Sequence, residues 1–176
     1  MARVLILGGG WRGRRLARSL AAGHAVRVVT RTEAGRAAIE RSGAECLIGD
    51  PGRLGTLRGA LDGVTIACWL LSGASGEPDA VRALHGPRLR AFIGQAIDTT
   101  MRGFLYEAPS GSSAAAPGER IVEELAERNA IPVAFLRADP ADGERWLAEA
   151  LRAVDSLLYA GGPAPVPIFP VDPARR

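Results

Sequence analysis

The fold of this chain is decided by its first residues, Arg3-Val4-Leu5-Ile6-Leu7 followed by Gly8-Gly9-Gly10-Trp11-Arg12-Gly13. The apolar run predicts a buried strand, and the glycines after it fit the spacing G-x-G-x-x-G. In that pattern the first glycine makes a tight turn, the second admits a pyrophosphate, and the third lets a helix pack on the strand. We therefore expect a dinucleotide site here. The alternative is a glycine turn with a purely structural role.

The residues after the turn supply the context that this motif requires. Leu16, Ala17, Leu20 and Ala21 fall on one face of a helix. The run Ala-Val-Arg-Val-Val-Thr at 25–30 then predicts a second strand. A strand, a helix and a second strand within about 30 residues form the βαβ unit in which G-x-G-x-x-G binds a dinucleotide.

The end of the second strand distinguishes between the two nicotinamide cofactors. NAD binders usually place an acidic residue there to accept a hydrogen bond from the ribose 2′-hydroxyl, whereas NADP binders need a cation for the 2′-phosphate. This strand ends Thr30-Arg31-Thr32, and the charge of Arg12 opposes the dipole of the first helix unless an anion is close. We expect Arg12 and Arg31 to hold one phosphate, which favours NADP(H) over NAD(H). The alternative is that both arginines are solvated surface groups.

Chain length indicates a single domain. A chain of 176 residues can form a core but is too short for a nucleotide domain plus a large substrate domain. We assign residues 1–160 to one NAD(P)-binding domain and residues 161–176 to a proline-rich tail. The tail is expected either to lie along the domain or to contact a partner subunit in a homo-oligomer.

Composition also bounds the location and the cysteine chemistry. No apolar run approaches the roughly 18 residues that span a bilayer, and the start of the chain has no signal-peptide pattern. We therefore expect a cytoplasmic protein without a membrane partner. The two cysteines, Cys46 and Cys68, fall in predicted strands and are expected to be buried thiols, with no disulfide and no metal site.

All 22 basic residues are arginine, and the chain contains no lysine. This excludes every mechanism that needs an ε-amino group, including a Schiff base, a Walker lysine and the Tyr-x-x-x-Lys pair of short-chain dehydrogenases. The net charge of +3 is small, and the arginines are interspersed with acidic residues along most of the chain. Nucleic acid is therefore not an expected partner.

Strands and helices alternate along the rest of the chain. Further strands are predicted over 45–48, 64–71, 103–107 and 133–137, with helical segments over 33–41, 54–61 and 119–128 and from residues 87 and 142. The strand at 64–71 is apolar on both faces, as the centre of a parallel sheet requires. The pattern predicts an α/β fold: a three-layer, doubly wound (Rossmann) parallel sheet of about six strands in the order 3-2-1-4-5-6.

Two loops of small residues follow predicted strands. The first, Ser72-Gly73-Ala74-Ser75-Gly76, ends the fourth strand at the sheet edge where ligands of doubly wound folds bind, so cofactor contact is expected there. The second, over 108–117, is expected to be either a mobile cover or a simple connection.

Taken together, these features resemble the atypical short-chain dehydrogenase/reductase superfamily, including its NmrA-like and epimerase-like NAD(P)-binding proteins. The resemblance covers roughly residues 3–137. It rests on the glycine motif, the strand end Val28-Val29-Thr30-Arg31, the segment from Gly43-Ala44-Glu45 to Gly49-Asp50, and a leucine-rich stretch closing at Gly63.

The resemblance implies a set of cofactor-binding positions. By position, Asp50 would approach the adenine, although it also fits the role of a cap for the next turn. Arg31 would meet the phosphate on the adenosine ribose. The resemblance further implies that the pyrophosphate is surrounded by Gly8, Gly10, Trp11, Arg12 and Gly13, and that the nicotinamide side is lined by Leu71, Ser72 and Gly73.

The chain departs from the family pattern where catalysis is expected. Leu7 stands where the commoner spacing G-x-x-G-x-x-G needs a glycine. Glu107-Ala108-Pro109-Ser110 follows the fifth strand in place of the usual serine, and the Tyr-x-x-x-Lys pair is absent.

Two hypotheses follow. The first is a small NADP(H)-dependent reductase of a small-molecule substrate, with protons supplied by Tyr106, Glu107, Ser110 or water. The second is a non-catalytic NADP(H)-binding sensor or partner protein. Tyr106 also fits the role of a core aromatic residue. His85 is the other candidate that titrates near neutral pH, and it also fits the role of a helix-end residue.

Overall fold

The computed structural model describes residues 1–109 and 116–160, which form one six-stranded sheet flanked by helices. All strand pairs are parallel, and the order is β3-β2-β1-β4-β5-β6. This confirms the predicted fold class and strand order. The strands are β1 (Arg3–Leu7), β2 (Ala25–Thr30), β3 (Glu45–Ile48), β4 (Ile66–Trp69), β5 (Gly103–Glu107) and β6 (Val133–Leu136).

Helices cover both faces of the sheet. They are α1 (Trp11–Leu20), α2 (Arg36–Glu40), α3 (Pro78–Leu84), α4 (Pro87–Ala96), α5 (Pro117–Asn129) and α6 (Gly143–Ala160). Short 3₁₀ turns at Glu33–Gly35 and Leu54–Leu57 complete the described elements.

The core has two layers because successive side chains of a strand point to opposite faces of the sheet. On β1, Val4 and Ile6 pack with α1, α2 and α6, whereas Leu5 and Leu7 pack with α4 and α5 on the other face. All four side chains are fully buried. A strand that is apolar on both faces is what a central parallel strand needs.

The strand order places a switch point between β1 and β4. The chain leaves β1 towards β2 and β3 on one side and returns to β4, β5 and β6 on the other. In open α/β sheets the helices diverge at this point, and a crevice opens at the carboxyl ends of the strands.

Several element bounds differ from the sequence predictions. β4 is shorter than the predicted 64–71 because its ladder with β1 extends only from Ile66 to Trp69. The predicted helix at 33–41 is divided at Gly35 into a 3₁₀ turn and α2, and the helix predicted at 54–61 is reduced to the 3₁₀ turn at Leu54–Leu57.

Three further expectations concern the cysteines, membrane-spanning helices and the tail. Both cysteines are free; Cys68 is buried, whereas Cys46 is only half-buried. Within residues 1–109 and 116–160, no helix has the length and apolar character needed to cross a membrane. The predicted proline-rich tail, 161–176, lies outside the described residues.

Candidate functional site

A groove of about 650 Å³ lies at the carboxyl ends of the central strands. It extends from the ends of β3 and β2, across the glycine turn after β1, to the end of β4. Its lining consists of residues 8–14, 29–32, 35, 49–51, 70, 71, 73–75 and 84. The groove thus lies at the switch point, where the fold predicts a ligand.

Two glycines of the motif are required by the fold itself. Gly8 has a φ of +131°, a conformation that side chains disfavour, and a Cβ there would overlap the Leu70 carbonyl oxygen. A Cβ on Gly13 would overlap the Gly8 carbonyl oxygen. Gly8 therefore makes the turn, and Gly13 lets α1 pack closely on the end of β1.

Gly10 differs from these two glycines. Its φ of −67° and ψ of −175° are an extended conformation that any residue adopts. A Cβ built on Gly10 would meet no atom within 4 Å. Neither backbone geometry nor packing explains a glycine here, and the open space at Gly10 is part of the groove. Glycine is a common N-cap residue, and here it also leaves room for a ligand to approach the backbone closely.

The amino end of α1 faces this space with free hydrogen-bond donors. The first intrahelical bond is donated by the Arg14 amide to the Gly10 carbonyl oxygen, at 3.0 Å. The amides of Trp11, Arg12 and Gly13 precede it and have no acceptor within the helix. No side chain caps this end, and the first turn contains no acidic residue. The positive end of the helix dipole is therefore available to an anion such as a diphosphate.

Two arginines line the groove on the side of β2. Arg31 is exposed directly after the strand. Arg14 donates from Nη1 to the Gly9 carbonyl oxygen at 3.1 Å. Glu33, the first carboxylate after β2, does not line the groove and forms an ion pair with Arg36. This end of the groove therefore has the charge that suits a phosphate.

Asp50 lies in the groove and also bonds within its own turn. It lines the groove after β3. Its Oδ1 also accepts from the Gly52 amide at 2.9 Å, and its Oδ2 lies 3.1 Å from Arg53 Nε. The carboxylate therefore caps its own turn while facing the groove.

Arg12 is directed into the protein rather than towards Arg31. Its Nη1 lies 3.3 Å from Oε1 of Glu107, which is 1% exposed, and Nη2 donates to Ser72 Oγ at 3.4 Å. The guanidinium carbon also lies 5.8 Å from the centre of the Trp146 ring. Arg12 thus lines the groove, while its charge is balanced by a buried carboxylate.

The energetics favour this inward position of Arg12. Removing one partner of a buried ion pair costs roughly 3–5 kcal/mol, because the remaining charge is left unpaired in the interior. A charge-assisted hydrogen bond gained elsewhere contributes only about 1.5–3 kcal/mol. In this structure Arg12 is thus paired with Glu107, while Arg31 and Arg14 also line the groove. That Arg12 and Arg31 hold one phosphate stays a prediction.

Glu107 and Tyr106, the predicted proton donors at the end of β5, lie behind the groove and are not part of its lining. Glu107 Oε1 accepts from Trp146 Nε1 at 2.9 Å, and Oε2 accepts from the Ser72 amide at 3.2 Å. Tyr106 is fully buried on the opposite face of the sheet. Ser110, the third predicted proton donor, lies outside the described residues.

Tyr106 is held by His85, which follows α3. The Tyr106 hydroxyl lies 2.7 Å from Nδ1 of His85, and Nε2 lies 3.3 Å from the Leu71 carbonyl oxygen. Since a carbonyl only accepts, the neutral ring donates from Nε2, and the Tyr106 hydroxyl donates to Nδ1. Burial lowers the pKa of His85, with smaller opposing effects from the Leu71 carbonyl and Glu107. Burial likewise raises the pKa of Tyr106.

Of the ten predicted cofactor residues, Ser72 alone is absent from the groove lining, since its contacts are with Arg12 and Glu107. Trp11 is half-exposed at the start of α1. Sequence reasoning missed Thr30 and Gly35 as lining residues, whereas it expected cofactor contact in the segment that contains Ser75. It also did not assign Arg14 to the site. The adjacency of Arg14 to Gly13 was the available signal.

Fold and groove together define the class of structure: a Rossmann fold with a glycine-motif groove at its switch point. No protein-family model matches the sequence, and no curated protein matches it significantly. Solved structures of reductases and of an epimerase do share the fold, and two of them contain NADP(H) or NAD. This confirms the predicted resemblance at the level of the fold.

Three of these structures illustrate the similarity. Vestitone reductase from alfalfa is 16% identical with a TM-score of 0.56, and the match covers 78% of this chain and 56% of that one. The Citrobacter sp. triphenylmethane reductase, solved with NADP(H), is 19% identical with a TM-score of 0.59, and the match covers 77% of this chain and 48% of the reductase. UDP-glucuronic acid 4-epimerase from Bacillus cereus, solved with UDP-glucuronic acid and NAD, is 13% identical with a TM-score of 0.56. This match covers 77% of this chain and 55% of the epimerase. This chain therefore spans about half the length of these proteins.

Proposed function

We propose that this chain binds NADP(H) in the groove, with the diphosphate at the amino end of α1. The observation that carries this proposal is the contrast among the motif glycines. Gly8 and Gly13 are required by close packing, whereas the space beside Gly10 is open and lies next to the free amides of the first helical turn. A ligand that needs close approach to the backbone and carries negative charge fits this position.

The preference for NADP(H) over NAD(H) is supported by the charge at the end of β2. Arg31 lines the groove, and Arg14 adds a second positive charge at the same end. Glu33, the first acidic residue after β2, forms an ion pair with Arg36 and so is not free to bind a ribose hydroxyl. A 2′-phosphate gains charge-assisted hydrogen bonds at such a position, whereas a 2′-hydroxyl lacks the acidic partner that NAD binders provide.

Calorimetric titration of the native protein and Arg31→Ala tests this preference. The native protein is expected to bind NADPH more tightly than NADH, because only NADPH has the phosphate that Arg31 contacts. Arg31→Ala is expected to weaken NADPH binding about tenfold, the effect of losing one charge-assisted hydrogen bond. Binding of NADH should change little.

Arg102→Ala is the matched control, since Arg102 is exposed immediately before β5, at the opposite edge of the sheet. It removes the same charge far from the groove and is expected to leave both affinities unchanged. Equal affinities of the native protein for NADPH and NADH would remove the case for a phosphate site at Arg31.

As to activity, we propose a small NADP(H)-dependent oxidoreductase. When bound, NADPH supplies a hydride, and the protein's part is to hold the nicotinamide half beside a small-molecule substrate. The support for this activity is the fold shared with reductases and an epimerase, two of which were solved with NADP(H) or NAD.

A non-catalytic NADP(H)-binding protein is the second candidate, and a specific observation favours it. Tyr106 is buried and bonded to His85, and Glu107 already accepts hydrogen bonds on both of its oxygens. Neither group is free to transfer a proton in the groove. NADPH oxidation with quinones, aldehydes and flavins as acceptors distinguishes the two candidates: turnover supports the oxidoreductase, and tight binding without turnover supports the sensor.

A further inference from the structure

Glu107 joins three elements that meet behind the groove. Its Oε1 accepts from Trp146 of α6 at 2.9 Å and lies 3.3 Å from Nη1 of Arg12, in the first turn of α1. Its Oε2 accepts from the amide of Ser72, in the segment after β4, at 3.2 Å. A single buried carboxylate therefore holds α1, α6 and this segment together.

Arg12 makes further contacts with the same segment. Its Nη2 donates to Ser72 Oγ at 3.4 Å, and a Cβ on Gly73 would lie 2.6 Å from that nitrogen. The guanidinium therefore packs directly against residues 72 and 73. We call residues 71–75 the β4 wall, because all of them except Ser72 line the groove at the end of β4.

Two other bonds involve the first residue of the β4 wall: the Ala74 amide donates to the Leu71 carbonyl oxygen at 3.0 Å, and His85 Nε2 lies 3.3 Å from the same oxygen. Neither of them reaches Ser72 or Gly73. The β4 wall reads Leu-Ser-Gly-Ala-Ser, and small residues of this kind allow many backbone conformations. The bonds from Glu107 and Arg12 hold Ser72 and the adjoining Gly73 in one of them. A binding surface that is fixed in advance avoids the entropic cost of ordering when the ligand binds.

The β4 wall and Arg31 lie at opposite ends of the groove, with the α1 amides between them. This inference rests on the proposed NADP(H) binding. If the ribose phosphate lies at Arg31 and the diphosphate at α1, the nicotinamide half reaches the β4 wall.

We propose that Glu107 is a positioning residue, which sets the β4 wall through Arg12 and the Ser72 amide. It thereby determines the affinity for the nicotinamide half of the cofactor without contacting it. In this role Arg12 acts on the wall instead of on the phosphate, and Glu107 is not a proton donor.

Titration of Glu107→Gln with two ligands tests the proposal. One ligand is NADPH, and the other is 2′,5′-ADP, which contains only the adenosine half. The glutamine removes the charge that Arg12 neutralises and replaces one acceptor oxygen by a donor. NADPH binding is expected to weaken about tenfold, and 2′,5′-ADP binding to change less than about twofold.

Glu119→Gln is the matched control. Glu119 is also 1% exposed and also has one arginine partner, Arg137, whose Nε lies 3.1 Å from Oε1. It does not line or contact the groove. This variant should bind both ligands as the native protein does, once thermal melting shows that it is folded.

Trp146→Phe keeps the test decisive if Glu107→Gln does not fold. It removes one donor to Glu107 while retaining an aromatic ring in the core, and it should give a smaller loss of the same kind. Unchanged NADPH affinity in these folded variants, or equal weakening of NADPH and 2′,5′-ADP, would overturn the positioning role. A native protein that binds neither ligand would overturn the proposed function itself, and this inference with it.

Discussion

Gly10 is the residue that ties the glycine motif to a ligand. Gly8 and Gly13 serve the chain's own packing, so their presence is explained without any cofactor. At Gly10 the backbone is in an ordinary extended conformation, and no protein atom lies where a side chain would project. Apart from the N-cap role that glycine fills in α1, the absence of a side chain leaves room for a ligand in the groove.

Gly10→Ala separates stability from binding. An alanine at the residue preceding α1 should lower the free energy of unfolding by no more than about 1 kcal/mol, because no packing clash results. The added methyl group occupies the space that the diphosphate needs, so NADPH affinity is expected to fall at least about tenfold. Urea denaturation and calorimetry on the same preparation measure both quantities. An alanine variant that binds NADPH normally would show that the space at Gly10 is not used.

At the scale of elements, the link between α3, β4 and β5 depends on His85. The neutral ring donates to the Leu71 carbonyl and accepts from Tyr106, so it connects the β4 wall to the buried end of β5. A protonated ring has no acceptor, so the Tyr106 hydroxyl can no longer donate to Nδ1, and the buried ring must carry a charge. Acid should therefore loosen this side of the groove.

The sign of the pH dependence follows from the lowered pKa of His85. Because the unfolded chain binds this proton more readily, the contribution is complete above the unfolded pKa of about 6.5 and is lost as the pH falls towards the folded pKa. The free energy of unfolding should decrease between about pH 7 and pH 5. In His85→Gln the decrease should be shallower.

Tyr106→Phe is the control for this measurement. It removes the hydroxyl but keeps the buried, titrating imidazole, so it should retain the pH dependence at a lower overall stability. Urea denaturation at several pH values measures these slopes. Identical slopes in the native protein and His85→Gln would assign the pH dependence to other groups.

The strands were predictable because their signal is local. The apolar runs at β1, β2, β3 and β5 appear in the structure with the predicted bounds. Helix α3 was not predicted because none of its residues is buried, so it has no apolar stripe to recognise. The 3₁₀ turn at Leu54–Leu57 has apolar residues at helical spacing but never develops into a full helix.

The contacts within the site were beyond reach of sequence reasoning for a different reason. Arg12 and Glu107 are far apart in the sequence, and only the order of the parallel strands brings the ends of β1 and β5 to one edge. His85 and Tyr106 are also distant in the sequence, and only the packing of the folded chain brings them together. The glycine spacing thus predicted where the groove lies, but not that Arg12 would be neutralised behind it.

At the scale of the whole molecule, the strand order places all the proposed cofactor contacts on one side of the switch-point crevice. Residues from the ends of β1, β2, β3 and β4 line a continuous groove. The chain spans about half the length of the solved reductases and epimerases that share its fold. The described residues thus form the part of the fold that carries the glycine-motif groove.

The structure of a crystal soaked with NADPH tests the central claim most directly. The account predicts the diphosphate within hydrogen-bond distance of the Trp11 and Arg12 amides, the 2′-phosphate beside Arg31, and the nicotinamide ring against residues 71–75. Arg12 should remain paired with Glu107. A groove without cofactor at saturating NADPH, or a cofactor bound elsewhere on the protein, would contradict the account.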